Sequence, residues 1–174
     1  MTIKPPSKGV YRIDTLDSRI TFRAKHQFGT GTVRGSFGLT GGEIAVTVPP
    51  EESTVHAAAS TLSFASGNTA RDRKVKSTTF LDAEAYPEIS FTSTSIEQVD
   101  GIWQLRGVLT ARGAAAPAEF SLESLQVDAA DIRIAATGKI DRYAHGITAM
   151  KGMAGRYLWL TVTVRATRQQ VGPS

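Results

Sequence analysis

A chain of 174 residues, 41% hydrophobic and 21% charged, has the composition of an ordinary globular domain; long disordered or fibrous architectures are excluded. The absence of Cys rules out disulfides, thiol nucleophiles and cysteine-ligated zinc, and 3 His leave little material for another metal site. A net charge of +4 suits an anionic ligand, a membrane surface or nucleic acid without choosing among them.

One domain is expected over 1–174, with a core over about 10–167 and a polar tail over 168–174. No run approaches the roughly 20 apolar residues of a membrane span. The start, Met1-Thr2-Ile3-Lys4-Pro5-Pro6, lacks the apolar block of a signal peptide, so a cytoplasmic location is expected.

Period-two alternation dominates, the pattern of half-buried strands. Ile20, Phe22 and Ala24 alternate with Arg19, Thr21, Arg23 and Lys25 in a first strand. Val33, Phe37 and Leu39 share a parity in a second, where Gly35 and Gly38 suggest a bend or bulge; Ile44, Val46 and Val48 mark a third, stopped by Pro49-Pro50. Val55 to Ser63 reads as an alanine-rich strand. Asn68 is placed to cap a short helix running to Lys76, whose late basic residues suit the negative helix end. Ser77 to Tyr86 is expected to be irregular or a further helical turn, closed by Pro87.

Glu88 to Val99, Asp100-Gly101 and Ile102 to Ala111 predict a hairpin, because Asp-Gly supplies the positive φ angles of a tight turn. A loop over Gly113 to Pro117, a strand over Ala118 to Val127, a turn to Asp131 and a strand over Ile132 to Asp141 follow. After a glycine-spaced loop from Arg142 to Gly155, Leu158, Leu160, Val162 and Val164 alternate with Tyr157, Trp159, Thr161 and Thr163. About eight strands in meander order, with one helical insertion, predict an all-β antiparallel sheet. Closure into a barrel removes its edges; an open sandwich is the alternative.

Parity also points to chemistry. One step beyond Ile20, Phe22 and Ala24 puts His26 on the apolar face, and the row Ile132, Ile134, Ala136, Gly138, Ile140 leads to Arg142. Phe37 and Phe91 point inward by the same count. An apolar barrel with His and Arg at its mouth suits a ligand with a hydrocarbon tail and an anionic head; the alternative is that both residues face water at a rim. No Gly-x-Ser-x-Gly elbow occurs, and His26, His56 and His145 fit no metal-ligand spacing. Gly29-Thr30-Gly31 opens no predicted helix and reads as a turn. Aromatics, at 7%, do not interleave with basic residues along any one strand face, which argues against single-stranded nucleic acid.

The order Tyr11-Arg12-Ile13-Asp14, Ser18-Arg19-Ile20-Thr21-Phe22, His26, Gly35-Ser36-Phe37 and Gly41-Gly42-Glu43-Ile44 resembles the YceI-like, polyisoprenoid-binding family. The likeness continues through Arg71-Asp72, Phe80-Leu81-Asp82, Tyr86-Pro87-Glu88-Ile89-Ser90-Phe91, Gly107-Val108-Leu109-Thr110 and Ile140-Asp141-Arg142. It implies an extended lipocalin-like barrel whose tunnel holds a long amphiphile such as a polyprenyl phosphate or isoprenoid quinone. It implies binding or carriage rather than catalysis, with no further cofactor, no metal, no nucleic acid and no transmembrane segment; association into a homodimer stays open.

His26, Arg71, Asp72 and Arg142 match positions near the polar end. Phe22, Phe91 and Leu109 match apolar positions and, with Ile20 and Phe37, make the expected tunnel lining. An enzyme using the same pocket on a lipid or isoprenoid is the alternative, and a packed barrel serving as an interaction module is a third. Two departures bear on this expectation. Many relatives are exported, and after Arg142 the family commonly has an acidic residue, an aromatic and glycine, where this chain has Tyr143-Ala144-His145-Gly146.

Overall fold

The computed structural model describes residues 4–26 and 29–170. Nine strands among them form one antiparallel sheet: β1 (Gly9–Ile13), β2 (Arg19–His26), β3 (Gly31–Val46), β4 (Thr54–Ala65), β5 (Glu88–Val99), β6 (Ile102–Ala111), β7 (Ala114–Asp128), β8 (Asp131–Asp141) and β9 (Ala154–Arg168). The order β3-β2-β9-β8-β7-β6-β5-β4 closes through a β3–β4 pairing, which makes a barrel of eight staves. The ninth strand adds no stave. β1 continues the line of β2: Arg12 pairs with Glu43 of β3 and Thr167 of β9, at the end of those strands that β2 does not reach. This closure makes good the expected antiparallel barrel, and the helix α1 (Thr69–Lys76) is the expected insertion, capped by Asn68, whose side chain accepts from the Arg71 N–H at 3.0 Å.

Several boundaries differ from the sequence reading. The segments around Phe37 and Ile44 are not two strands but one, because a bulge absorbs the change of parity between Leu39 and Ile44; Leu39 pairs with Ala59 and Gly41 with Ala58. β7 begins at Ala114, so the expected loop at Gly113–Pro117 shrinks to a tight turn in which Arg112 (φ 50°) and Gly113 (φ 70°) both take positive φ. Pro117 is tolerated in the strand because β8 pairs with β7 only from Phe120 onward, so no neighbour on that side needs its missing N–H. β1 escaped the alternation count because it is only 5 residues long. The Asp100-Gly101 hairpin turn has the expected φ values, 51° and 81°. Of the polar tail, Arg168 ends β9, and 171–174 lie outside the described residues.

The interior is built from inward rows that divide into three regions: an aliphatic one around Ile13, Ile44, Ile132 and Val164, a mixed one around Phe91, Leu109, Phe120 and Ile140, and an aromatic plug of Phe22, Phe37, Phe64 and Phe80 at the α1 end. In that plug Phe22 stacks on Phe64 with centroids 5.3 Å apart, and Phe37 meets Phe64 edge-on at 5.3 Å. Inward aromatics lie over glycines on the adjoining strand: a Cβ on Gly35 would come within 2.6 Å of the Phe22 ring, and one on Gly138 within 2.7 Å of Phe120 and 2.8 Å of the Glu119 carbonyl oxygen. The rings thus fill space that the glycines vacate. Gly138→Ala is expected to cost about 1–3 kcal/mol in urea unfolding, because the added methyl meets backbone as well as ring; unchanged stability would refute this packing.

The interruption between β1 and β2 is held by Arg165 of β9, which donates to Asp131 (Nη2–Oδ2 2.6 Å) and to Asp17 (3.3 Å), while its own N–H donates to Ser18 Oγ. The Arg165 and Thr167 hydrogen bonds hold the Asp131 carboxyl below its ordinary value of 3.8. A depressed folded-state pKa stabilises fully above the unfolded value and loses that contribution as pH falls through the folded one. Wild-type stability is therefore expected to hold its advantage over Asp131→Asn down to about the unfolded carboxyl value and to lose it only as pH falls below that, through the lower folded one; parallel pH profiles would count against the contact.

Candidate functional site

The inward rows do not fill the barrel. They leave a cavity of about 280 Å³, some twenty times the roughly 10–15 Å³ that one water needs by the same kind of measure. It extends from Pro5, Pro6 and Ser53, at the end where β1 begins and β9 finishes, to Arg142, His145 and Ile147 at the α1 end. Its walls are aliphatic and aromatic, with Leu39, Ile44, Phe91, Trp103, Leu109 and Phe120 among them; Ser53, Ser90, Arg142 and His145 are the polar residues of the lining.

Arg142 is the unusual one, a cation only 5% exposed. It follows β8 directly, opening a 3₁₀ turn (Arg142–His145) whose N-cap, Asp141, accepts from the Tyr143 N–H at 3.0 Å. Its guanidinium forks onto backbone: Nε donates to Gly155 O at 2.8 Å, Nη1 to Ile147 O at 2.8 Å and Nη2 to Ala154 O at 3.0 Å. The Phe80 and Tyr143 rings lie 5.5 Å and 5.0 Å from its centre. Asp141 is committed elsewhere, to a two-point pair with Arg156 at 3.0 and 2.8 Å, which holds the Asp141 carboxyl down and raises Arg156. Among the described residues Arg142 has no salt-bridge partner, and burial lowers its pKa below the ordinary guanidinium range. Terminal N–H protons remain beyond the three carbonyl bonds.

His145, 4% exposed, is fixed by Nδ1 against Ala114 O at 2.9 Å. A carbonyl only accepts, so Nδ1 carries the proton and Nε2 is the acceptor of the neutral ring. The residue lines the cavity beside Arg142.

The sequence-derived candidates divide. Ile20, Phe37, Phe91, Leu109 and Arg142 line the cavity. Phe22 does not: it is buried in the aromatic plug instead. His26 is half-buried at the end of β2, its ring over its cross-strand partner Gly31, where a Cβ would sit 2.8 Å from Cε1; it is outside the lining, as parity at the last residue of a strand is a weak guide. Arg71 and Asp72 also lie outside it. Arg71 Nε donates to Ser66 Oγ at 2.8 Å, and Asp72 accepts from the Ser66 N–H at 2.9 Å, so the pair fastens α1 to the strand before it. His145 was missed because the alternation count ends where β8 turns into a 3₁₀ segment. The signal available was its place three residues after Arg142.

A hollow, closed antiparallel barrel with one polar end places the protein among lipocalin-like barrels. More particularly, the YceI-like domain matches residues 11–168, and the chain belongs to that family. It is 26% identical over 170 residues to protein YceI of Escherichia coli, a match covering 92% of this chain and 87% of that one. Among solved structures it is similar to BcnA of Burkholderia cenocepacia (TM-score 0.77, 18% identity, 89% of this chain and 99% of that chain). It is also similar to a polyisoprenoid binding domain from Saccharophagus degradans implicated in plant cell wall breakdown (TM-score 0.70, 12% identity, 91% and 98%).

Removing the Arg142 fork takes the donor from three carbonyls, one in a buried bond and two in part-buried ones. Arg142→Met is expected to destabilise the protein by about 2–4 kcal/mol in chemical denaturation, and a near-neutral result would show that the carbonyls find other partners.

Proposed function

We propose that the barrel binds and carries a long-chain amphiphile of the isoprenoid class, with its tail in the cavity and its head at Arg142 and His145. The observation that carries this reading is the cavity itself: an apolar bore running between the barrel ends, with its buried charge gathered at one of them. Such a bore rewards apolar length, at about 0.8 kcal/mol per buried CH₂. Arg142 offers donors and His145, in the Nδ1–H tautomer that its Ala114 bond selects, an acceptor, a pair that suits a head able both to accept and to donate. A phosphate monoester or a hydroxyl meets that requirement better than a quinone carbonyl, so a polyprenyl phosphate is the preferred ligand. Membership of the YceI-like family and likeness to a polyisoprenoid binding domain support the same class.

Titration with farnesyl phosphate, farnesol and the chain-matched hydrocarbon farnesane tests this. Leu109→Trp should abolish binding of all three by filling the bore. His145→Ala should weaken the two headed ligands about tenfold, through a lost hydrogen bond of about 1–2 kcal/mol, and leave farnesane unaffected. Undiminished binding in Leu109→Trp would place the ligand outside the barrel, and equal losses for all three in His145→Ala would remove the head-group role.

A further inference from the structure

The outer wall of the barrel at the α1 end carries a pattern that no single strand reveals. Arg34, Arg23, Trp159 and Lys139 are direct cross-strand neighbours on β3, β2, β9 and β8, forming one row across four staves. Cations flank the rings on both sides: Arg23 lies 4.9 Å and Lys139 5.7 Å from the Trp159 centroid. Lys139 also stands 4.1 Å from the Tyr157 centroid, and Arg156 lies 5.3 Å from it. Arg156 and Lys151 then lie 4.8 and 5.3 Å from Tyr143. A ladder of alternating cations and aromatics thus runs from mid-barrel to the β8–β9 loop, where Met150 and Met153 are 46% and 43% exposed.

From this we infer that this face docks on an anionic lipid bilayer. Charge complementarity is the first argument. Arg23 and Arg34 oppose each other directly, an unfavourable like-charge pair, and among the described residues neither has an ion pair; an external anion would relieve them. Glu51, Glu52, Asp100 and Asp128 lie at the opposite end of the barrel, so the charge is polarised along the axis. The rings decide between polyanions. Trp159, Tyr157 and Tyr143 each have at least two cations against the ring, which compete with a base or sugar for its faces, whereas Trp and Tyr with flanking Lys and Arg, beside exposed methionines, are the composition of a membrane-interface surface. The same loop carries Arg142 and His145 on its inner side, which places the docking face next to the polar end of the cavity. Docking does not depend on what the cavity holds.

The test uses the full chain and vesicles free of isoprenoid. With no cysteine in the sequence, a single cysteine at Met153, or at Val127 on the opposite end, takes one environment-sensitive fluorophore. Expected results are flotation with phosphatidylglycerol–phosphatidylcholine vesicles but not with phosphatidylcholine alone, and a blue shift of the Met153→Cys label with none at Val127→Cys. The triple variant Arg23→Gln/Lys139→Gln/Lys151→Gln, altered only at exposed positions, should lose on the order of 100-fold in vesicle affinity while keeping the wild-type melting temperature. No flotation, undiminished affinity in the triple variant, or a shift at Val127→Cys instead would each overturn the proposal. So would binding of a single-stranded oligonucleotide in the absence of vesicle binding.

Discussion

Because β3 pairs with β4, the meander closes on itself, and the staves bond sideways along the stretches they share; β7 before Phe120 lacks a β8 partner and β5 beyond Thr92 lacks a β4 partner. That single closure assigns every side chain to an inside or an outside. It lets the inside be apolar, and it fixes a bore that the available side chains do not fill. Small inward residues, Ala57, Ala59 and Ala136 among the cavity lining, widen the bore, while phenylalanines folded over glycines narrow it near α1.

The polar end is arranged differently from the walls. Arg142 is held not by a carboxylate but by three carbonyls, that of Ile147 in its own loop and those of Ala154 and Gly155 at the start of β9, and burial lowers its pKa. The carbonyl bonds satisfy N–H donors without neutralising the charge, so burial of this cation is a cost that the rest of the fold offsets. The nearby Asp141–Arg156 pair keeps the one adjacent carboxylate turned away.

The fold was legible wherever alternation ran long. β8 and β9 showed it over whole strands, the Asp100-Gly101 turn marked its hairpin, and Asn68 announced α1. It was obscured where local geometry broke the count: the β3 bulge shifted the parity between Leu39 and Ile44, and Pro117 disguised strand as loop because its unpaired side depends on where β8 ends. The site was read less completely for the same reason. Ile20, Phe37, Phe91 and Leu109 fall within strands, where parity holds, and they line the cavity. His26 sits at a strand terminus and His145 in a 3₁₀ turn, so period-two reasoning had no purchase on either. The family motif that singled out Arg71-Asp72 marks a helix fastening rather than cavity wall.

The divided first stave has a mechanical consequence. β1 is held by four residue pairs to β3 and three to β9, fewer than join β2 to the same strands. Its amides should be among the first in the sheet to exchange with solvent, through an opening that leaves the other staves in place. Such an opening unzips a slit along the flank of the barrel beside Ile13 and Ile44, both in the cavity lining. A long chain could then be laid in sideways, as thread passes into a slotted needle, instead of being pushed lengthwise through the eye.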